Sequence, residues 1–281
     1  MSTTRADRLA TLYFFHPLQN ILPHKEVRIP ILMYHSISNG NRERKHPYYQ
    51  TTTGPEIFAE QMRFLYENQY SVIGLSDLVN RMIERNGSER CVVITFDDGF
   101  RDFYSHAMPV LSRYGFNATV FLPTRYIGDT TLQFRNRNCL TWTEVRELHR
   151  AGVRFGSHTV THPQLRLTTI EQQKYEIRQS KASIEDEIGA EVESFCYPFA
   201  FPEESHDFTQ ALRKNLNECG YKNGVCTVVG TARPGEDMFF LKRLPINSWD
   251  DLRLFRAKLD GGYDWLHWVQ YSMKFAKARI S

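Results

Sequence analysis

The pattern of apolar and polar residues along this chain alternates between two kinds of segment. Short runs rich in β-branched and aromatic residues, typical of buried strands, are separated by longer amphipathic stretches. A strand followed repeatedly by a helix is the order found in parallel sheets with crossover connections, so the pattern predicts an α/β fold. The predicted strands cover residues 29–36, 70–75, 91–98, 117–123, 153–159, 192–199, 223–230 and 241–247.

The clearest helical segments lie between these strands. Three of them combine a Ser or Thr near the start with a Gly at the end, as helix caps require. The four segments cover residues 54–69, 75–87, 141–152 and 169–189.

The chain has the length of one barrel-sized domain. Its 281 residues are 41% hydrophobic, enough to bury a large core, and no repeat, low-complexity tract or Pro/Gly-rich linker divides them. We therefore predict one main domain over residues 29–248. An N-terminal extension (1–28) precedes it, and a C-terminal helical segment (249–281) follows it.

Charge and cysteine content narrow the setting in which the protein works. The net charge of +3, from 35 basic and 32 acidic residues, is too balanced to predict a nucleic-acid partner. The five cysteines are odd in number and lack C-x-x-C spacing, which indicates reduced thiols and a reducing compartment. The N-terminal apolar run is interrupted by polar residues, and no run reaches the roughly 18 residues of a membrane span. We expect a cytoplasmic protein, soluble or peripheral at the inner face of a membrane.

Residues that can bind ligands or transfer protons lie at the predicted carboxyl ends of the strands, where α/β folds place their ligand sites. The adjacent carboxylates of Asp97 and Asp98 end one strand, and like charges so close repel unless a cation or a proton separates their roles. His158 and His162 follow another strand, at a spacing that a helix-like turn would bring to one side. A carboxylate and two imidazoles form an open metal site, which leaves positions for water and substrate.

The motif "TFDDG", followed by "SHTVTHP", resembles the polysaccharide deacetylases, the NodB-homology family also called carbohydrate esterase family 4. The resemblance runs from about Ile29 to Asn247 and includes "ILMYHSI" and "LTWTEVRELHRAGVRFGSHTVTHPQL". It implies a distorted (β/α) barrel of seven strands and metal-dependent removal of an N-acetyl group from an amino sugar. By position, Asp97 resembles the general base.

The resemblance also implies the metal ligands, which are Asp98, His158 and His162. An Asp-His-His set suits Zn²⁺ best, although Ni²⁺, Co²⁺ and Fe²⁺ also bind such ligands.

Two departures from the family pattern require substitutes. Cys196 in "CYPFA" occupies the position where many members have an arginine that orients the base, so we expect Arg243 in "LKRLPIN" to hydrogen-bond to Asp97 instead. No Leu-x-His motif occurs near the C-terminus, so the resemblance to the branch with an early M-Y-H strand and a Y-P-F turn implies His35 as the acid. The backbone N–H of Phe199 in that turn resembles the family's oxyanion donor.

Each of these residues also has a plain structural interpretation. D-D-G is a common turn, H-x-x-x-H can be a surface pair, His35 can be a buried structural histidine and Arg243 an ordinary ion pair. Aromatic residues at these spacings are more often core than a wall for stacking sugars. Candidates for such a wall or for other substrate contacts are Tyr197, Pro198, Trp142, Phe134, Phe199 and Phe201.

The substrate implied is an N-acetylated amino sugar, such as N-acetylglucosamine, in a polysaccharide, an oligosaccharide or a lipid-linked or nucleotide-linked precursor of a cell-surface polysaccharide. Two alternatives remain at this stage. One is a related hydrolase of formamides or cyclic imides, and the other is a barrel that binds carbohydrate without turnover.

The last segment, "YDWLHWVQYSMKFAKARIS", is predicted to be a helix with one apolar side. Such a helix can pack on the barrel, or it can lie in a membrane interface, where tryptophans beside basic residues are common. The residues predicted on the apolar side are Trp265, Leu266, Trp268, Val269, Met273, Ala276 and Ile280.

Overall fold

The computed structural model describes residues 5–21, 27–39, 47–84 and 90–278. The strands are β1 (Ile31–Tyr34), β2 (Ser36–Ile37), β3 (Thr52–Thr53), β4 (Ser71–Val72), β5 (Cys91–Phe96), β6 (Thr119–Leu122), β7 (Gln133–Phe134), β8 (Arg137–Asn138), β9 (Arg154–Ser157), β10 (Ser194–Cys196), β11 (Asn223–Val229) and β12 (Leu241–Pro245).

The helices alternate with the main strands as the sequence pattern predicts. They are α1 (Ala6–Ala10), α2 (His16–Ile21), α3 (Pro55–Glu67), α4 (Leu75–Glu84), α5 (Met108–Tyr114), α6 (Trp142–Arg150), α7 (Ile170–Ile188), α8 (His206–Glu218), α9 (Leu252–Leu259) and α10 (Trp265–Ala278). A π-helical turn (Thr11–Phe15) joins α1 to α2.

Seven parallel strands close into a barrel in the order β1-β12-β11-β10-β9-β6-β5. Closure follows from β1, because Leu32 is paired with Leu244 of β12 on one side and with Ile94 of β5 on the other. This confirms the predicted distorted (β/α) barrel of seven strands.

The predicted strand at residues 70–75 is much shorter in the structure and is not part of the barrel wall. Its two residues, Ser71 and Val72, pair with the beginning of β5, while β6 pairs with the end of the same strand. One edge of β5 is therefore shared, and β4 flanks the barrel from outside.

Two helix starts predicted from Ser/Thr caps have full capping boxes. Thr141 caps α6 with Glu144 as its reciprocal partner, and Thr169 caps α7 with Gln172. Gly189 ends α7 in the left-handed conformation, with φ of 65°. These caps fix where α6 and α7 begin and where α7 ends.

A buried ionic cluster joins the two ends of the chain, and we call it the terminal clamp. Arg5 donates a 2.9 Å hydrogen bond to Asp250 and also contacts Asp7, while the Lys258 ammonium lies 2.8 Å from Asp250. The Tyr263 hydroxyl donates to Asp7. The N-terminal helical segment is thereby tied to α9 and to the turn that follows it.

The first residues of α10 pack on the protein, and the next ones do not. Trp265 stacks on Phe15 with ring centroids 4.6 Å apart, and Leu266 is buried in the core. Trp268, by contrast, is 72% exposed, and Val269 is exposed as well. The apolar side predicted from the helical wheel is therefore divided: its first residues pack on the protein, while Trp268 and Val269 are exposed even though the neighbouring Gln270 accepts a hydrogen bond from the Val229 N–H.

The side chains of α10 beyond residue 272, including Met273 and Ala276, and all of Ile280 lie outside the part of the chain that is described. Among the described helices, none combines the length and the apolar character needed to span a bilayer.

Candidate active site

Asp97 and Asp98 lie directly after β5, and the backbone turns sharply between them. The Asp97 N–H still continues the sheet by donating to the Tyr34 carbonyl, whereas Asp98 has a left-handed φ of 71°. Gly99 follows at φ of 59°, where an added Cβ would lie 2.9 Å from the Leu122 side chain. This turn sends the two buried carboxylates toward different partners.

Asp98 forms a compact cluster with both predicted histidine ligands. Its Oδ1 lies 3.6 Å from His158 Nε2 and 3.4 Å from His162 Nε2. Two ligand atoms on a tetrahedral zinc ion, each about 2.1 Å from the metal, are about 3.4 Å apart. Among the described residues, no hydrogen-bond donor reaches the buried Asp98 Oδ1. An acceptor left in this way and framed by two imidazoles fits a divalent cation.

The tautomer of His158 is fixed by its other ring nitrogen. Its Nδ1 lies 2.8 Å from the Cys196 carbonyl, which can only accept, so in the neutral imidazole Nδ1 carries the proton and Nε2 has the lone pair. His158 is also within reach of a second group of ligand atoms, with Asp97 and the Cys196 thiol. We favour the set with Asp98, because the Asp97 carboxylate is already occupied by Arg243.

The two histidines differ in their affinity for protons. Burial and the neighbouring His158 lower the pKa of His162 to about 3, so its imidazole is neutral and able to bind a metal. Burial also disfavours protonation of His158, but Cys196 and Asp98 outweigh it and raise the pKa of that imidazole above its ordinary value. The site thus attracts positive charge at the place where a cation would be held.

The spacing of the two histidines suggested a helix-like turn, but the loop that carries them is not helical. Thr159 and His162 have left-handed φ values of 69° and 56°, and the Thr159 hydroxyl accepts a hydrogen bond from the His162 N–H. Buried Glu176 of α7 accepts from the N–H groups of Val160 and Thr161. Sequence reasoning missed Glu176, although a glutamate on the inward face of a helix was an available signal.

Asp97 makes the predicted contact with Arg243. The two side chains form paired hydrogen bonds of 2.7 Å each, and Arg243 is fully buried inside the barrel. Arg243 is itself fixed, because it donates to the Cys226 carbonyl and to the Thr95 hydroxyl. Burial alone would raise the pKa of Asp97, but Arg243 outweighs burial and holds that pKa far below the usual range.

Cys196 lies beside this pair, with its sulfur 3.2 Å from Arg243 Nη2. The smaller cysteine side chain thus leaves room for a guanidinium that comes from β12.

His35 lies at the end of β1, with its Nε2 3.9 Å from Asp97 Oδ2. The segment after it is held by Asp102, which accepts hydrogen bonds from the Ser36 hydroxyl and the Ile37 N–H. Burial lowers the pKa of His35 below its ordinary value, so the resting imidazole is neutral near pH 7.

Comparison with known proteins places this geometry in a family. A family model described as polysaccharide deacetylase matches residues 84–224. A relative from Bacillus subtilis that bears the name polysaccharide deacetylase, YxkH, is 31% identical over 228 residues, which cover 81% of this chain and 74% of the relative. The chain belongs to the polysaccharide deacetylase family. Its enzyme class is that of the polysaccharide N-deacetylases.

Two further comparisons extend this membership. The poly-β-1,6-N-acetyl-D-glucosamine N-deacetylase of Staphylococcus epidermidis is 25% identical and covers 78% of this chain and 75% of the relative. The solved structure of the Streptococcus pyogenes deacetylase PplD, in complex with acetate, has a TM-score of 0.72 at 24% identity, and covers 83% of this chain and 99% of that one. At 24% identity this structural match shows the fold alone.

The Y-P-F turn of this deacetylase exposes one aromatic ring to the site. Phe199 has a left-handed φ of 62° and is 40% exposed, and its ring lies 4.7 Å from that of His162. The Thr227 hydroxyl pins the turn by donating to the Phe199 carbonyl and accepting from the Phe201 N–H. Pro198, in contrast, is buried.

Most of the other aromatic candidates for substrate contact are core residues. The Tyr197 ring is buried against Phe201 and Phe208, at centroid distances of 5.0 and 6.1 Å. Trp142 and Phe134 are also buried. These rings are packed in the hydrophobic core, which is the more common place for aromatic residues at such spacings, and Phe199 alone of this set is exposed.

The hairpin of β7 and β8 brings to the deacetylase site a residue that sequence reasoning missed. Arg135, at the tip, has its Nη1 3.7 Å from Asp98 Oδ2. Its guanidinium lies over the rings of Phe134 and Phe199, at 4.8 and 5.4 Å. Arg135 and Asn136 both have left-handed φ values, and the available signal was this short polar turn after an aromatic residue.

Proposed function

We propose that this protein is a metal-dependent deacetylase that hydrolyses the N-acetyl group of an amino sugar in a polysaccharide, an oligosaccharide or its precursor. One observation carries the proposal. A carboxylate held ionised by a buried arginine, Asp97, adjoins a second carboxylate, Asp98, whose free Oδ1 faces two imidazole nitrogens.

The proposed roles follow from these contacts. Bound by Asp98, His158 and His162, a divalent cation would supply Lewis-acid polarisation of the acetyl carbonyl and of the attacking water. Asp97, fixed by Arg243, takes a proton from that water, whose oxygen adds to the carbonyl carbon.

Completion of the reaction requires an oxyanion donor and a proton for the leaving nitrogen. The Phe199 N–H is proposed to donate to the oxyanion, and His35 to protonate the nitrogen as the C–N bond breaks, which yields acetate and a free amine. His35 is neutral at rest, but its Nε2 lies 3.9 Å from Asp97 Oδ2. The proton taken up by Asp97 can therefore reach His35 before the bond breaks.

The proposed substrate is a chain of β-linked N-acetylglucosamine or a lipid-linked or nucleotide-linked precursor of one. The support is the staphylococcal relative, whose name specifies a poly-β-1,6-N-acetyl-D-glucosamine. The test is acetate release from free, β-1,6-linked, nucleotide-linked and lipid-linked N-acetylglucosamine, with formate release from a formylated amino sugar measured in parallel. Formate without acetate would contradict the proposal in favour of a deformylase.

The proposed metal is Zn²⁺, bound at close to one ion per chain, with Ni²⁺, Co²⁺ or Fe²⁺ as functional replacements. Elemental analysis of protein purified without added metal, followed by chelation and reloading with each ion, tests it. A protein that keeps full deacetylase activity after complete metal removal would contradict this assignment.

The proposed location is the cytoplasm, at the inner face of the membrane. Its support is that the five cysteines are thiols, and that the apolar side chains of Tyr13, Phe14 and Trp268 are exposed by 64%, 71% and 72%. Trp268→Ala with Phe14→Ala should reduce sedimentation with anionic liposomes without a change in thermal stability. Wild-type protein that fails to sediment with them would contradict membrane contact.

A further inference from the structure

Arg135 combines exposure with a fixed position at the mouth of the site. Its side chain is 44% exposed, yet the guanidinium is held by the faces of Phe134 and Phe199 and by the carboxylate of Asp98. An exposed arginine that only improves solubility would not be held on three sides. The planar group is thus preorganised, and ordering it on ligand binding costs little.

The two oxygens of Asp98 are directed to different partners. Oδ1 faces the histidine nitrogens, whereas Oδ2 faces Arg135 at 3.7 Å. A cation bound at Oδ1 therefore need not displace Arg135, whose side chain is 44% exposed and accessible to a ligand. Arg135 contacts Asp98 and Phe199, whereas His35 contacts Asp97, so the two residues meet different parts of the site.

The charges of the centre favour an anion at this place. Asp97 and Asp98 are matched by the guanidinium groups of Arg243 and Arg135, so a bound divalent cation leaves the centre positive. In amide hydrolysis negative charge develops on the carbonyl oxygen, and it stays on the carboxylate product after the C–N bond breaks.

We propose that Arg135 is a catalytic residue on the acetyl side of the site, donating hydrogen bonds to the carbonyl oxygen as it becomes negative and then to the carboxylate of the departing acetate. This inference rests on the proposed deacetylation. Arg135 forms no bond to substrate and transfers no proton. Its planar fork matches the two oxygens of a carboxylate, which a lysine ammonium cannot do.

The experiment measures acetate binding separately from turnover. Sodium acetate is titrated by calorimetry, at constant ionic strength, into the zinc-loaded wild type and into Arg135→Gln, Arg135→Lys and Arg125→Gln. Arg125 is an exposed arginine after β6 that serves as the matched control. Arg135→Gln should weaken acetate binding by about tenfold or more and lower kcat by about tenfold to a hundredfold, with KM little changed.

Arg135→Lys should lie between Arg135→Gln and the wild type in both measurements, and Arg125→Gln should stay within about twofold of the wild type. Zinc content and thermal unfolding are measured for every variant. Acetate affinity that is unchanged in Arg135→Gln would overturn the inference, as would a loss of zinc that accounts for the whole loss of kcat.

The same data separate this inference from the proposed function. If the wild type deacetylates amino sugars but all variants bind acetate equally, the inference fails and the function stands. If no amino sugar is deacetylated but acetate binding depends on Arg135, the proposed function fails and the anion site stands.

Discussion

Two buried clusters of charged residues in this deacetylase have similar compositions, but they differ in how fully their carboxylate oxygens are paired. In the terminal clamp, each carboxylate oxygen of Asp250 has a cationic partner, Arg5 at one and Lys258 at the other. In the candidate active site, both oxygens of Asp97 accept hydrogen bonds from Arg243, but within the described part of the chain no donor reaches Oδ1 of the neighbouring Asp98.

The difference shows what separates a structural cluster from a functional one. Burial of charge is expensive, so a cluster that serves only the fold must satisfy each of its groups within the protein. An acceptor left unsatisfied between two imidazoles instead calls for an additional partner, and we propose that a bound cation is that partner. The candidate site should therefore depend on a bound cation, whereas the terminal clamp should not.

The largest effect is expected from loss of a metal ligand. His158→Ala and His162→Ala should each lower bound metal well below one ion per chain and reduce kcat by about a thousandfold or more, because an open three-ligand site does not survive the loss of one ligand. Elemental analysis and acetate release measure both. The control is His106→Ala, at an exposed histidine, which should keep metal and rate. Full metal occupancy in either ligand variant would show that the ligand set is wrong.

Asp97→Asn should lower kcat by about a hundredfold or more while metal content is retained, since an amide cannot take a proton from water. Because the substitution also removes the counter-charge of buried Arg243, stability should fall by about 3 kcal/mol. Asp129→Asn, at an exposed aspartate, provides the matched control for both urea denaturation and kinetics. Near-normal turnover in Asp97→Asn would exclude Asp97 as the base.

His35→Ala should lower kcat by about a hundredfold, with metal content and stability close to wild type, because His35 is half-buried and lies beside the base without a short hydrogen bond to it. The loss should be smaller for substrates whose leaving nitrogen is less basic, which need less help from an acid. A His35→Ala enzyme with the wild-type rate on every substrate would return this residue to a structural role.

Arg5→Ala, in the terminal clamp, should lower stability and leave kcat almost unchanged, whereas we expect variants of the candidate active site to lower kcat. It leaves Asp250 buried beside Lys258 alone and should cost about 3 kcal/mol of stability, while kcat stays within about twofold of the wild type. Arg8→Ala, which breaks an exposed pair with Asp251, should cost less than about 1 kcal/mol. A large loss of kcat in folded Arg5→Ala would show that the clamp is coupled to catalysis.

The smallest effect concerns acid stability. Burial opposes ionisation of Asp7, but Arg5 and Tyr263 outweigh it, so the pKa of Asp7 is lower in the folded protein than in the unfolded chain. Its contribution is therefore present above about pH 4 and is lost as pH falls through the lowered pKa of the folded state. Arg5→Ala should flatten the loss of unfolding free energy below about pH 4, as measured by denaturation at several pH values. Parallel curves for wild type and variant would contradict this contribution.

The sequence predicted those parts of the molecule that are marked by a local pattern. All seven barrel strands are visible as apolar runs, and the Asp97, Asp98, His158 and His162 motifs are contiguous with them. Arg243 was predicted from the resemblance to the family, because Cys196 occupies the position where many members have an arginine that orients the base.

The remaining features depend on contacts between distant residues that no local pattern encodes. Arg5 and Asp250 are 245 positions apart, and Glu176 reaches the histidine loop from a different element. The burial of Tyr197 and Trp142 could not be predicted, because a ring beside a motif can face inward or outward and periodicity does not distinguish the two. Arg135 was missed because the hairpin that carries it is only two residues long on each side.

Residues with a left-handed backbone conformation around the site limit which amino-acid substitutions this protein can accept during evolution. Thr159, Phe199 and Arg135 occupy a backbone region that costs side chains other than Gly, Asn and Asp roughly 1–3 kcal/mol each. Replacement of Thr159 by another β-branched residue would keep that cost and lose the hydroxyl that holds the His162 N–H. Sequence drift at such positions is thus restricted by the path of the main chain as well as by chemistry, even where the residue binds nothing itself.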